Sequence, residues 1–280
     1  MARLQLGSHR QSDVVDPSIF GTRGFRSGVI DRFIQLMVQA ALLYSLPLFM
    51  LLYLEMNSFE TGLSLMPFSI GIIALSVGGT RLASSWLPSR VIRAGFVLAA
   101  AGLAVIVVQL DPEMRSGSLF AGSIIAGAGF GLIVSQIVNL LLSSVRPERV
   151  AEATGVSSTA EQLGNAIGVA LIGSIMLNTL NSTIISTVTA SSMLSSEVKS
   201  AAIAAAERDI PLMSSTQVET LLAGVEPATR DELVSIYNQA HLTAFAAALL
   251  FLALMAGIGF LVGRRLPATR LVEDAAATTE

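Results

Sequence analysis

Residues 119–143 read LFAGSIIAGAGFGLIVSQIVNLLLS, without one Asp, Glu, Lys or Arg. A helix rises about 1.5 Å per residue, so about 20 apolar residues cross a hydrocarbon core of about 30 Å. This run is long enough. Five further runs, at 33–54, 61–83, 91–110, 159–185 and 241–262, have similar length and apolarity, and six in one chain predict a bundle of transmembrane helices rather than a buried soluble core. The whole-chain figures agree. Hydrophobic residues make up 52% and charged residues 13%, with a mean hydropathy of +0.69, where a soluble domain carries about a quarter of its residues as charges.

The remaining composition excludes several chemistries. A net charge of −3 gives no electrostatic footprint for nucleic acid. Cysteine is absent, so disulfides and thiolate chemistry are out, and the two histidines, His9 and His241, lack the spacing of a metal site. No metal, cofactor or catalytic residue is expected. A membrane hydrolase would need a Gly-x-Ser-x-Gly pattern, paired Asp or a deep His, and the spans hold none.

The organisation read from these runs is a lead-in loop over 1–30, five spans within 31–185, a long segment at 186–240, a sixth span at 241–263 and a tail at 264–280. The lead-in carries Arg3, Arg10, Arg23 and Arg26 and no apolar core of signal-peptide length, so it reads as a loop and not a cleaved leader. The long segment holds two amphipathic stretches, 192–208 and 214–222, expected to form short interfacial or extramembrane helices. Asn57 with Glu60, Ser158 with Glu161 and Thr229 with Glu232 have capping-box spacing and predict helix starts.

Alternating the gaps between two sides places Arg3, Arg10, Arg23, Arg26, Arg32, Arg81, Arg90, Arg93, Arg146, Arg149, Arg264, Arg265 and Arg270 together. Arg115, Lys199, Arg208 and Arg230 fall opposite. The positive-inside rule then expects both termini in the cytoplasm of a multi-pass cell-membrane protein, with 186–240 extracytoplasmic. No ionisable residue falls in the middle third of a span. The polar groups at depth are amides: Gln35 with Gln39, Gln136 with Asn139, and Gln162 with Asn165, each pair on one helix face. They either bond between helices or line a substrate pathway. Gly127 with Gly131 and Gly164 with Gly168 have helix-packing spacing, and Pro47 and Pro67 lie inside spans, where each removes a backbone bond and bends the helix.

Four segments carry a family resemblance. They are Val15-Asp16-Pro17-Ser18-Ile19-Phe20 followed by Arg23-Gly24-Phe25; Leu46-Pro47-Leu48 followed by Thr61-Gly62-Leu63-Ser64-Leu65-Met66-Pro67; Arg146-Pro147-Glu148-Arg149 leading to Ala153-Thr154-Gly155; and Thr159-Ala160-Glu161-Gln162-Leu163-Gly164-Asn165-Ala166-Ile167-Gly168. In order and spacing the chain resembles the C-terminal half of the fourteen-helix drug:proton antiporters of the major facilitator superfamily. It departs in having Glu161 where the family often has a basic residue and Asn165 where it often has Gly. The family's Gly-Pro signature has no counterpart. The resemblance implies an all-α membrane protein whose six transmembrane helices form one half of a major facilitator fold, with a long loop before the last helix. It implies proton-coupled export of small amphipathic compounds, multidrug type, together with a missing N-terminal half. The alternative is a non-transporting scaffold or regulatory half-transporter that uses its helices for association.

Overall fold

The computed structural model describes residues 17–82, 86–112, 114, 116–208 and 211–266. Val15, Asp16, His9, Arg3, Arg10, Arg115 and Arg270 lie outside them. Among the described residues the chain forms α1 (Arg23–Leu52), α2 (Ser58–Ser64), α3 (Met66–Leu82), α4 (Pro88–Val108), α5 (Phe120–Ser143), α6 (Val150–Ala190), α7 (Ser196–Ala206), α8 (Ser215–Leu221) and α9 (Pro227–Gly263), with no strand. Among the described residues, six helical segments are long and apolar enough to cross a membrane: α1, α2 with α3, α4, α5, α6 and α9.

The helix starts follow local chemistry. Asn57 accepts from the Glu60 N–H at 2.9 Å while Glu60 accepts from the Asn57 N–H at 3.0 Å, the reciprocal capping box. Ser214 and Gln217 repeat it at α8. Pro88 and Pro227 occupy first positions, where the missing N–H costs nothing. Pro67 lies in the first turn of α3, just past the Leu65–Met66 junction where α2 ends, whereas Pro47 lies inside α1.

Three helices outrun their apolar stretches. The first begins at Arg23, so the lead-in does not extend to residue 30 as a loop; Phe25 is fully buried, and Gly28 leaves room for Leu141 of α5. Similarly, α6 runs past residue 185 to Ala190, and α9 starts at Pro227 rather than 241. Ser158 with Glu161 and Thr229 with Glu232 are therefore interior to helices and cap nothing. The reason is packing: Ile184 and Val188 of α6 meet Ile236 and Tyr237 of α9 in a separate apolar cluster that α7 and α8 cover. Once neighbouring surfaces bury an amphipathic turn, the helix propagates beyond the lipid-length segment.

In the main bundle α1 packs against α6, α9 and α5, while α5 carries α3 and α4, and α4 closes on α9. Phe49, Phe96, Phe130 and Phe245 sit in its core. Lipid is as apolar as leucine, so such a bundle is held by close packing more than by escape from water. Gly168 shows how close: a β-carbon there would collide with the Met37 carbonyl oxygen.

A polar latch ties the cap to the bundle. Glu55, in the α1–α2 turn, has φ 49°, an uncommon left-handed conformation for a non-glycine residue. Its carboxylate accepts from the Thr216 N–H at 2.7 Å and from Thr216 Oγ1 at 2.8 Å. The Thr216 backbone N–H holds the Glu55 pKa below its ordinary 4.5, against a smaller upward push from burial and with help from the Thr216 and Ser214 side chains. A lowered carboxylate pKa contributes stability that is present above the ordinary value and is lost as pH falls through the folded one. Hydrogen exchange in the first turn of α8 should therefore be slower than in Glu55→Gln at neutral pH, and the two proteins should converge as pH falls well below 4.5.

Candidate functional site

The polar groups converge where α1 meets α6. Gly164 stands opposite Phe33, where a β-carbon would come within 2.7 Å of its carbonyl oxygen. This close approach lets Arg32 of α1 reach Glu161 of α6, Nη2 to Oε2 at 2.8 Å. Arg32 Nη1 also donates to Gln35 Oε1 at 2.9 Å, and Gln35 Nε2 donates to Gln39 Oε1 at 2.7 Å. Glu161, Arg32, Gln35 and Gln39 thus form one hydrogen-bonded track. It descends about 10 Å along α1 from Arg32 to Gln39.

Electrostatically the track begins with an ion pair at its wetter end, with side-chain exposures of 13% for Arg32 and 36% for Glu161. It ends on neutral amides, Gln35 fully buried and Gln39 half-buried. Charge at the rim and amides within offer hydrogen bonds at depth without the cost of an isolated ion. Asn165 lies one turn beyond Glu161 on α6 and is half-buried, while Gln162 is exposed beside it. With Ser157 and Ser158, these residues give α6 an open polar flank over its first turns, while its other flank exposes Leu163, Ile167 and Leu171. The outer faces of α4 and α9 are different, exposing Val97, Val108, Leu250, Leu254 and Leu261. The apolar faces suit lipid; the polar one does not.

The other two candidates stand apart. Gln136 of α5 is buried and donates from Nε2 to the Gly79 carbonyl oxygen at 3.2 Å, an interhelical bond to α3, and Asn139 is exposed. Neither joins the α1–α6 track. Among the packing residues, Gly127 and Gly131 of α5 abut the α3 backbone at Phe68 and Ile72.

Sequence reasoning missed Arg32 and Glu161. Arg32 counts there only as a topology anchor, and Glu161 as a helix-end residue, although it sits well inside α6. The available signal was the i, i+3, i+7 spacing of Arg32, Gln35 and Gln39, which places all three on one face.

Two further buried groups differ from the sequence reading: Asp31, which it did not single out, and His241, which it did not place at depth. Asp31 is fully buried, and neither carboxylate oxygen has a hydrogen-bond partner. His241 is 1% exposed, ringed edge-on by Phe49, Tyr53 and Tyr237 at centroid distances of 6.0, 5.7 and 6.0 Å, with both ring nitrogens unpartnered. Among the described residues no cluster of His, Asp and Glu could hold a metal ion. A buried polar group without a partner costs about 1–3 kcal/mol, and a carboxylate costs more than an amide. Asp31→Asn is therefore expected to stabilise the protein by about 1 kcal/mol, read as a higher Tm in detergent.

The profile of the Major Facilitator Superfamily matches residues 14–169. The chain is 29% identical over 143 residues to the puromycin resistance protein pur8 of Streptomyces alboniger, covering 48% of this chain and 28% of that protein. It is 30% identical over 126 residues to the multidrug resistance protein Stp of Mycobacterium tuberculosis, covering 44% and 23%. The colistin resistance protein EmrB of Acinetobacter baumannii is 26% identical over 165 residues, covering 58% and 31%. The chain thus spans less than a third of the length of each of these relatives.

Proposed function

The chain belongs to the Major Facilitator Superfamily, and from that premise we propose that it is the C-terminal half of a fourteen-helix exporter that expels small amphipathic compounds in exchange for protons. As a six-span, all-α bundle it supplies one half of the superfamily's fold. The observation that carries the reading is the α1–α6 track: a hydrogen-bonded line of Glu161, Arg32, Gln35 and Gln39 beside an open polar side of α6. A polar side turned to lipid would be costly, so it fits a water-filled pathway completed by a second half. The resistance proteins it resembles support export as the direction, and the arginine-rich ends support cytoplasmic termini in a cell membrane. The reading contains no enzymatic step.

Sealed vesicles test it. With this chain alone, no uptake of a fluorescent amphipathic compound is expected. With a separately expressed eight-span partner, uptake should appear and collapse when a protonophore dissipates the gradient. Transport by the chain alone, with mass spectrometry showing no other half, would overturn the assignment as a half.

A further inference from the structure

A groove of about 460 Å³ runs along α4, lined there by Arg90, Arg93, Ala94, Val97, Leu98 and Ala101 and flanked by Leu132 of α5 and Phe260 of α9. The groove opens on the apolar outer face, where Val97 is 53% exposed. On α4 the lining residues 90, 93, 94, 97, 98 and 101 recur at three- and four-residue spacing, a stripe on one face of the helix. Eleven residues separate its ends, so the stripe is about 16 Å long. That matches one leaflet's share, about 15 Å, of a 30 Å hydrocarbon core. Ala94 and Ala101 keep its floor low, while Arg90 and Arg93 put two guanidinium groups at one end only. Arginine's forked donors match phosphate oxygens. Two cations at headgroup level above an apolar channel one acyl chain long complement an anionic phospholipid.

We propose that this groove binds an anionic phospholipid, its phosphate held by Arg90 and Arg93 and one acyl chain laid along α4. Arg93 also has a buried carboxyl side chain nearby. Behind it, across Gly263, lies the unpartnered Asp31: a methyl on Gly263 would stand 3.1 Å from Arg93 Cγ and 3.6 Å from Asp31 Oδ2. The Arg93 guanidinium makes no bond to Asp31, and its Nε donates to the Ser89 carbonyl oxygen at 3.2 Å. The charges on the surrounding helices are otherwise placed elsewhere, with Arg32 and Glu161 paired to each other and Arg264 and Arg265 exposed at the end of α9. The inference rests on the spanning fold and not on transport.

The test is native mass spectrometry of the full chain, purified from mixed micelles holding equal phosphatidylglycerol and phosphatidylcholine. Phosphatidylglycerol should be retained about tenfold over phosphatidylcholine, the ratio that about 1.4 kcal/mol gives. Arg90→Gln and Arg93→Gln should each erase most of that preference. Ala101→Phe, which fills the channel and leaves every charge in place, should lower retention of the whole lipid, and glycerol phosphate should not compete, since it lacks the chain. Equal retention of the two lipids, indifference to the arginine substitutions, or competition by glycerol phosphate would each overturn the proposal. None of these outcomes depends on whether the chain takes part in export.

Discussion

Gly127→Val is expected to leave little folded protein in detergent, and any that survives should unfold at a markedly lower temperature than the wild type. The reason is backbone contact. A β-carbon at Gly127 would collide with the Phe68 carbonyl oxygen, and a carbonyl inside a helix cannot rotate away as a side chain can. The α3 and α5 axes would have to separate, and with them the contacts on both sides: Gly71 of α3 meets the Ile124 carbonyl, and Gly131 meets that of Ile72. Overpacking typically costs 1–3 kcal/mol; with backbone against backbone, about 3 kcal/mol is expected. Lipid provides no compensating hydrophobic drive, because separated helices simply meet acyl chains. The control is Gly257→Ala on α9, where nothing lies within 4 Å of the added carbon. There the substitution relieves glycine's backbone entropy inside a helix and should stabilise by about 0.5–1 kcal/mol. Opposite shifts in Tm from two small substitutions would separate helix contact from helix propensity.

What sequence reading recovered divides by physical cause. The six spans were legible because crossing lipid imposes a length and forbids charge, and runs such as 119–143 satisfy both. The ends of α1, α6 and α9 were not, because their extra turns are amphipathic and become helical only against each other, as Ile184 and Val188 do against Ile236 and Tyr237. The capping boxes show the same split. Asn57 with Glu60 caps a helix that starts in solvent, whereas Ser158 with Glu161 has the same spacing inside a helix that tertiary contact extended. Of the candidate amides, spacing correctly placed Gln35 and Gln39 on one face, but only the fold shows that Gln136 is committed to the Gly79 carbonyl. Arg32 and Glu161 are 129 residues apart, a partnership no local pattern encodes. Asp31 was hidden by its position outside the apolar run, though it is fully buried.

The α1–α6 ion pair makes the sharpest functional forecast. Arg32→Ala removes the donors to both Glu161 and Gln35 in one step, so the track loses its charged rim and the partner that fixes the orientation of Gln35. The pair is not fully desolvated, with Glu161 36% exposed, and its stability cost should be about 1 kcal/mol, well under that of a fully buried pair. In the exporter proposed above, assembled with its other half, transport should suffer more, because a pathway depends on where its polar groups point. About a tenfold fall in rate per folded molecule is expected, corresponding to about 1.4 kcal/mol. Glu161→Ala should match it, and the two together should be little worse than either alone, the non-additivity of residues acting as one unit. Exchanging the charges, Arg32→Glu with Glu161→Arg, should restore part of the rate. Gln136→Leu supplies the contrast: it breaks the bond to Gly79 and lowers Tm, but transport per folded molecule should hold. If Arg32→Ala and Gln136→Leu instead lowered transport in proportion to the folded fraction alone, the α1–α6 track would be packing and not pathway.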